Sequence, residues 1–110
     1  MRIINLTPHK ITLINSDGDK KAINPSGKAA RVDTKERWID RANGIDFYVS
    51  DSGDVKDLPK PTHDIFYIVS KVVAAALPWR DDLFVPHGLI RDDKGNIIGS
   101  KGLTVANWEL

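Results

Sequence analysis

The chain has 110 residues and a formal net charge of +1. That length suits a single domain, residues 1–110, with one modest core, and the near-neutral balance gives no bulk electrostatic reason to expect nucleic acid or an anionic membrane as a partner. With no cysteine in the sequence, disulfides, thiolate zinc sites and cysteine nucleophiles are excluded together.

Ile3-Ile4-Asn5-Leu6 reads as a short apolar strand turned by Thr7-Pro8-His9. Lys10 to Asn15 is a β-branched run closed by Ser16-Asp17-Gly18-Asp19, and Lys20 to Ile23 returns. Asp-Gly between two such runs is a hairpin signal, because glycine takes the φ > 0 position. After a turn at Pro25-Ser26-Gly27, Ala29 to Val32 reads as another strand. Asp33-Thr34 is placed to cap a helical turn through Trp38 and Ile39 that ends near Asn43-Gly44. Ile45 to Ser50 is a strand, Asp51 to Asp54 a second hairpin loop, and Val55 to Leu58 its short return. Pro59-Lys60-Pro61 is too brief to divide domains and resets the chain direction.

The central unit follows. Ile65 to Val69 is a nearly continuous apolar run, as expected of a strand buried on both faces. Ser70 is placed to cap a helix from Lys71 to Leu77, and Pro78 ends it. Leu83 to Pro86 reads as the next strand, giving strand–helix–strand, though the helix is short for a crossover. Leu89 to Arg91 and Asn96 to Gly99 flank Asp92-Asp93-Lys94-Gly95 as a third hairpin, and Leu103 to Val105 adds a last short strand. The predicted class is α+β: antiparallel β-hairpins around a central strand–short helix–strand unit. A helix this apolar is expected to be buried on several sides, in the core or at a subunit interface.

Charge is unevenly spread. Residues 1–31 carry six Lys/Arg against two Asp, a local +4, whereas residues 32–62 come to −2 and residues 63–110 to −1. The basic N-terminal third has two readings, an attraction for an anionic ligand or solvated lysines on hairpin loops. His9, His63 and His87 are far apart without metal-ligand spacing. The longest apolar run, Ile65 to Leu77, is interrupted by Ser70 and Lys71 and is too short to span a bilayer. Arg2 precedes no long apolar stretch, so no signal peptide is expected and a cytoplasmic protein is.

Two Arg-Asp clusters, Arg80-Asp81-Asp82 and Arg91-Asp92-Asp93, set the densest charge beside the densest hydrophobicity. A guanidinium there forks onto phosphate or carboxylate, and aspartates accept from ribose hydroxyls. The competing readings are structural: Arg80 complements a helix C-terminus, and the aspartates hold turns by bonding their own backbone. Arg91 is read inside an apolar strand, where an uncompensated charge is costly. Phe66, Tyr67, Trp79 and Phe84 bracket the clusters as candidate stacking surfaces. Adjacent aspartates point to different faces of an extended chain, unlike catalytic carboxylates that converge across a cleft. No nucleophile elbow, Walker or dinucleotide spacing is present, so Gly95, Gly99 and Gly102 read as turn and bulge glycines.

Asn5-Leu6-Thr7-Pro8-His9, the stretch Pro25 to Val32, Tyr67-Ile68-Val69-Ser70, Arg80-Asp81-Asp82-Leu83 and the stretch Arg91 to Gly99 look like a family of small phage and prophage proteins. The likeness covers nearly the whole chain, in the same order. In particular the chain resembles the first family of Thoeris anti-defence proteins, phage sponges that bind cyclic ADP-ribose-type signals made by bacterial TIR enzymes and so keep the defence effector switched off. The resemblance implies a homo-oligomer with pockets between protomers, working in the host cytoplasm by sequestration without cleavage: no enzyme and no cofactor. It implies an arginine for the pyrophosphate, an aromatic for the base and a carboxylate for ribose. Chemistry, not motif alignment, suggests Arg91 for the first role, followed by Arg80 and Arg31, with Phe66 or Trp79 as platform and Asp92 or Asp82 as acceptor. The alternatives are a structural or interaction protein of a phage particle and a small nucleotide hydrolase.

Overall fold

The computed structural model describes residues 1–107. Its organising unit is the predicted strand–helix–strand: β6 (Ile65–Ile68), α1 (Lys71–Ala76) and β7 (Leu83–Arg91). Ser70 caps α1 as expected, its hydroxyl accepting from the Val73 amide at 3.3 Å. At the other end the Asn107 side-chain amide donates to the carbonyls of Ala74 in the helix, Leu77 at its C-cap and Arg80 just beyond, adding to the backbone bonds that close the helix C-terminus. A connection through a helix returns the chain in the same direction, and β6 and β7 pair in parallel, Tyr67 opposite Leu83. On the other side of β6 lies β1 (Arg2–Asn5), also parallel, with Asn5 opposite Ile68.

This parallel trio departs from the expected set of antiparallel hairpins. Two of those hairpins are present: β7 with β8 (Ile97–Val105) around Asp92 to Gly95, and β2 (Ile11–Ile14) with β3 (Lys20–Ile23) around Asp17-Gly18. The chain is mostly β, 55% strand and 6% helix, which fits α+β only roughly. The six-stranded sheet has the order β1-β6-β7-β8-β2-β3. Its two ends meet, because Asn5 forms a parallel bridge with Pro25, just after β3, and its carbonyl accepts from the Ser26 amide. The sheet therefore curls into a barrel-like ring with one seam.

Side chains alternate between the two faces. Leu6, Tyr67, Val69, Leu83 and Val85 pack with Val73 and Ala74 of α1, Ala30 and Ala106 as the main core. The opposite face carries Asn5, Ile68 and Phe84, with Phe66 stacked on Phe84 at 5.2 Å between centroids. Ile68 and Leu83 are both fully buried on adjoining strands, so the central run is enclosed on both faces as expected. The helix is not. Val73 and Ala74 are buried, but Val72 is 58% exposed.

Residues 31–56 differ most from the sequence reading. The helix expected from Asp33-Thr34 through Trp38 and Ile39 is instead strand β4 (Arg31–Ala42), paired with β5 (Ile45–Lys56) as a separate two-stranded sheet. The turn is Asn43-Gly44, both at positive φ (53° and 74°), the two-residue geometry that Asn-Gly favours. Asp51 to Asp54 is no loop but lies within β5, beside a register shift between Val32 and Thr34. There a Cβ on Gly53 would come within 2.8 Å of the Asp33 carbonyl oxygen, so the irregularity needs glycine. The hairpin is rooted in the core through Val32 and Val55 and stands out from the body as an arm. The radius of gyration is 16.9 Å, against about 13 Å for a compact chain of this length.

Candidate functional site

The two Arg-Asp clusters lie at opposite ends of β7, and each makes contacts within the chain. Arg80 and Asp82 are buried and face each other, Nε to Oδ1 and Nη2 to Oδ2, both at 2.7 Å. Nη2 also donates to the Pro59 carbonyl at 3.0 Å, so the fork ties the Pro59 loop to the turn leaving α1. Trp79 beside it is 73% exposed. Phe66 is occupied by its stack on Phe84.

Arg91 sits at the exposed end of β7, where no burial penalises its charge, and donates to the Gly95 carbonyl at 2.9 Å. Asp92 accepts from the amides of Lys94 and Asn96, both at 2.9 Å, and from the Asn96 side chain at 3.3 Å. These contacts brace the third hairpin from within. The Asn96 amide, foremost among these donors, holds the Asp92 carboxyl below its ordinary range. A carboxylate with a depressed folded pKa contributes stability at pH above its unfolded value, and that contribution is lost as pH falls through the folded value. The urea midpoint of wild type minus that of Asp92→Ala is therefore expected to stay constant near neutrality and shrink below about pH 4, where aspartate ordinarily titrates. A difference unchanged into acid would show that the ionised carboxylate does not hold the turn.

Arg31 lies elsewhere, on the rim of a cleft of about 570 Å³. One wall is Leu6-Thr7-Pro8, where the chain leaves β1, and the other is the segment from Gly27 to Arg31 leading into β4. The walls are sewn together by the Ala30 amide donating to the Leu6 carbonyl at 2.8 Å, and Gly27 at φ 110° makes the bend that a side chain would strain. Ser70, just past the end of β6, also lines it. The cleft thus lies beyond the carboxyl ends of adjacent parallel strands, where crevices form in such sheets.

Two cations line the cleft. Arg31 is exposed and has no ion-pair partner among the described residues. The Lys28 ammonium, with its side chain 81% exposed, approaches Asp57 only to 3.6 Å. Asp57 itself holds positive φ, 62°, a conformation aspartate tolerates better than most residues. Among the described residues, no three His, Asp or Glu side chains gather in one place.

The sequence reading ranked Arg31 third, after Arg91 and Arg80, and assembled no cleft. Asn5 to His9 and Pro25 to Val32 were two of the motifs carrying the resemblance, and the +4 charge of residues 1–31 was one sign of an anionic ligand. That the two motifs face each other follows from the Asn5–Pro25 seam, which no local pattern encodes. Lys28, Thr7 and Asp57 were accordingly missed. Comparison with family models, with curated proteins and with solved structures gave no match to this chain. No helix among the described residues is long and apolar enough to cross a membrane.

Proposed function

We propose that this chain is a non-catalytic binding protein for an anionic small molecule of the nucleotide class, held in the cleft between Leu6 to Pro8 and Gly27 to Arg31. The observation that carries the reading is the presence of Arg31 and Lys28 on a cleft whose other lining is Leu6, Thr7, Pro8, Gly27, Ala29 and Ala30, with Ser70 and the lysine-paired Asp57. Its volume lies within the usual range for small-molecule sites, and a few polar groups on an apolar lining is their usual composition. Arg31 forks onto phosphate oxygens and Lys28 adds a point charge, while the apolar wall takes a base or sugar face. The carboxylate in the cleft, Asp57, is paired with a lysine rather than with a second acid, which favours holding over acid–base cleavage. Within the nucleotide class, the resemblance to phage sponges makes a cyclic ADP-ribose-type signal the first candidate, bound during infection and returned unchanged.

The test is titration calorimetry with cyclic ADP-ribose and with ADP-ribose, then heating the complex and chromatographing what is released. Intact nucleotide supports sequestration. A cleaved product makes the chain a hydrolase, and no depletion leaves it a structural or interaction protein. Arg31→Ala and Lys28→Ala are each expected to remove charge-assisted hydrogen bonds worth about 1.5–3 kcal/mol, roughly ten- to a hundredfold in Kd. Their melting temperatures should not move, because both side chains are exposed. Arg91→Ala should show the converse, a lowered melting temperature with affinity retained. Loss of affinity in Arg91→Ala alone would return the site to the third hairpin.

A further inference from the structure

The β4–β5 arm leaves apolar surface that its own chain cannot cover. Trp38, Ile39, Ile45, Phe47 and Tyr48 are each 45–59% exposed. The register puts Trp38 opposite Tyr48 on one face, while Ile45 and Phe47 lie on the other. A lone two-stranded hairpin is marginally stable in water, and twelve residues a strand carry this one roughly 40 Å. Its charges are mated internally, Arg37 with Asp51, Arg41 with Asp46 and Lys56 with Asp33, so no strong field of one sign opposes contact with an identical arm.

A second apolar surface lies near the arm's root. The helix α1 packs against β4 and β5 and turns Val72 outward, 58% exposed, while Trp79 just beyond it is 73% exposed. The arm is fixed at its root by Val32 and Val55, so its tip projects away from this surface and cannot fold back upon it.

We propose that two copies of this chain exchange arms about a two-fold axis, each arm lying between its partner's α1–Trp79 surface and its partner's arm. Two features favour a second copy over a different protein. Apolar side chains on both faces of the arm need two covering surfaces, and reciprocal exchange supplies both. The seven large apolar residues named, at their fractional exposures and roughly 150–250 Å² apiece, offer on the order of 800 Å² a side, near the ~800 Å² per partner of a stable interface. A two-fold arrangement also closes on itself without free ends.

Sedimentation equilibrium of the full chain tests this. Wild type is expected to be a dimer. Trp38→Glu on the arm and Trp79→Glu on the body should each weaken dimerisation by about tenfold or more, as loss of a central aromatic anchor does, and together should give a monomer. Ile97→Glu, at a comparably exposed residue (56%) on the far hairpin, should change nothing. Far-UV circular dichroism and a thermal melt check that each variant folds; if Trp38→Glu does not, Trp79→Glu alone reads the contact from outside the arm. A monomeric wild type, which would leave the arm to another partner, overturns the proposal. So does an oligomer larger than two, a dimer indifferent to both tryptophan changes, or one lost on Ile97→Glu.

Discussion

Asp82→Ala is expected to destabilise the fold by about 3–5 kcal/mol, the usual result of removing one partner from a buried ion pair, and it should be the most damaging single change outside the apolar core. The reason is what remains. Arg80 cannot shed its proton, and with Asp82 gone its guanidinium stays enclosed with the Pro59 carbonyl as its one remaining partner. For a domain of this size the loss is a large part of a total stability of roughly 5–15 kcal/mol. Arg80→Ala should be similarly severe through the stranded carboxylate. Arg80→Met with Asp82→Leu should recover much of the loss, since replacing a whole buried pair by apolar residues of similar volume is often neutral or stabilising. Urea denaturation of the two singles and the double closes the cycle, and simple additivity would mean that the pair does not act as a unit. The double variant also tests the site assignment. Folded and with unchanged nucleotide affinity, it confines Arg80 and Asp82 to a structural role; folded but without affinity, it restores them to the site.

How much the sequence revealed depended on how local each feature is. The Ser70 cap, the helix behind it, the turn at Asp17-Gly18 and the hairpin at Asp92 to Gly95 are each set by residues within one or two turns of chain, and all were legible. The arm was equally local but was misread. Asn43-Gly44 is as strong a hairpin signal as Asp17-Gly18, yet a capping pattern at Asp33-Thr34 took precedence over it, although the interval holds Val32, Thr34, Trp38 and Ile39, residues that favour strands. The absence of clean alternation there has a physical cause: large apolar side chains lie on both faces of the arm, Trp38 and Tyr48 on one and Ile45 and Phe47 on the other, so no two-residue period marks one face alone. The parallel place of β1 beside β6 was not legible, because pairing across some sixty residues leaves no trace in a four-residue strand. Arg91 turned on a boundary. Read inside an apolar strand its charge called for a partner, but at the strand's exposed end it needs only the Gly95 carbonyl.

Asn5→Ala is expected to destabilise the protein by about 2–4 kcal/mol, from buried polar groups left unpaired at about 1–3 kcal/mol each, and to weaken ligand binding in the cleft although Asn5 does not line it. Asn5 is 1% exposed and uses both ends of its amide. Nδ2 donates to the carbonyls of His9 at 2.8 Å and Ile23 at 3.0 Å, and Oδ1 accepts from the Thr7 amide at 2.9 Å and the Thr7 hydroxyl at 2.6 Å. One side chain thereby fixes the turn after β1, joins it to the end of β3, and reinforces the seam where the sheet meets itself. Alanine removes all four bonds and opens a cavity; the His9 carbonyl keeps the Thr7 hydroxyl at 3.0 Å, but the Ile23 carbonyl loses its side-chain donor. Asp at this position should be no milder, since a carboxylate cannot donate to His9 and Ile23 and sets its charge against their oxygens. The cleft feels the change because Thr7 and Pro8 form one of its walls and Asn5 sets their path. Denaturant unfolding should report the stability loss. Calorimetry on the folded fraction should show a lower affinity than in wild type, with the salt dependence set by Arg31 and Lys28 retained because both cations are still present. A loss below about 1 kcal/mol, no more than one ordinary hydrogen bond, would mean that the seam is held by the backbone bridge to Pro25 alone.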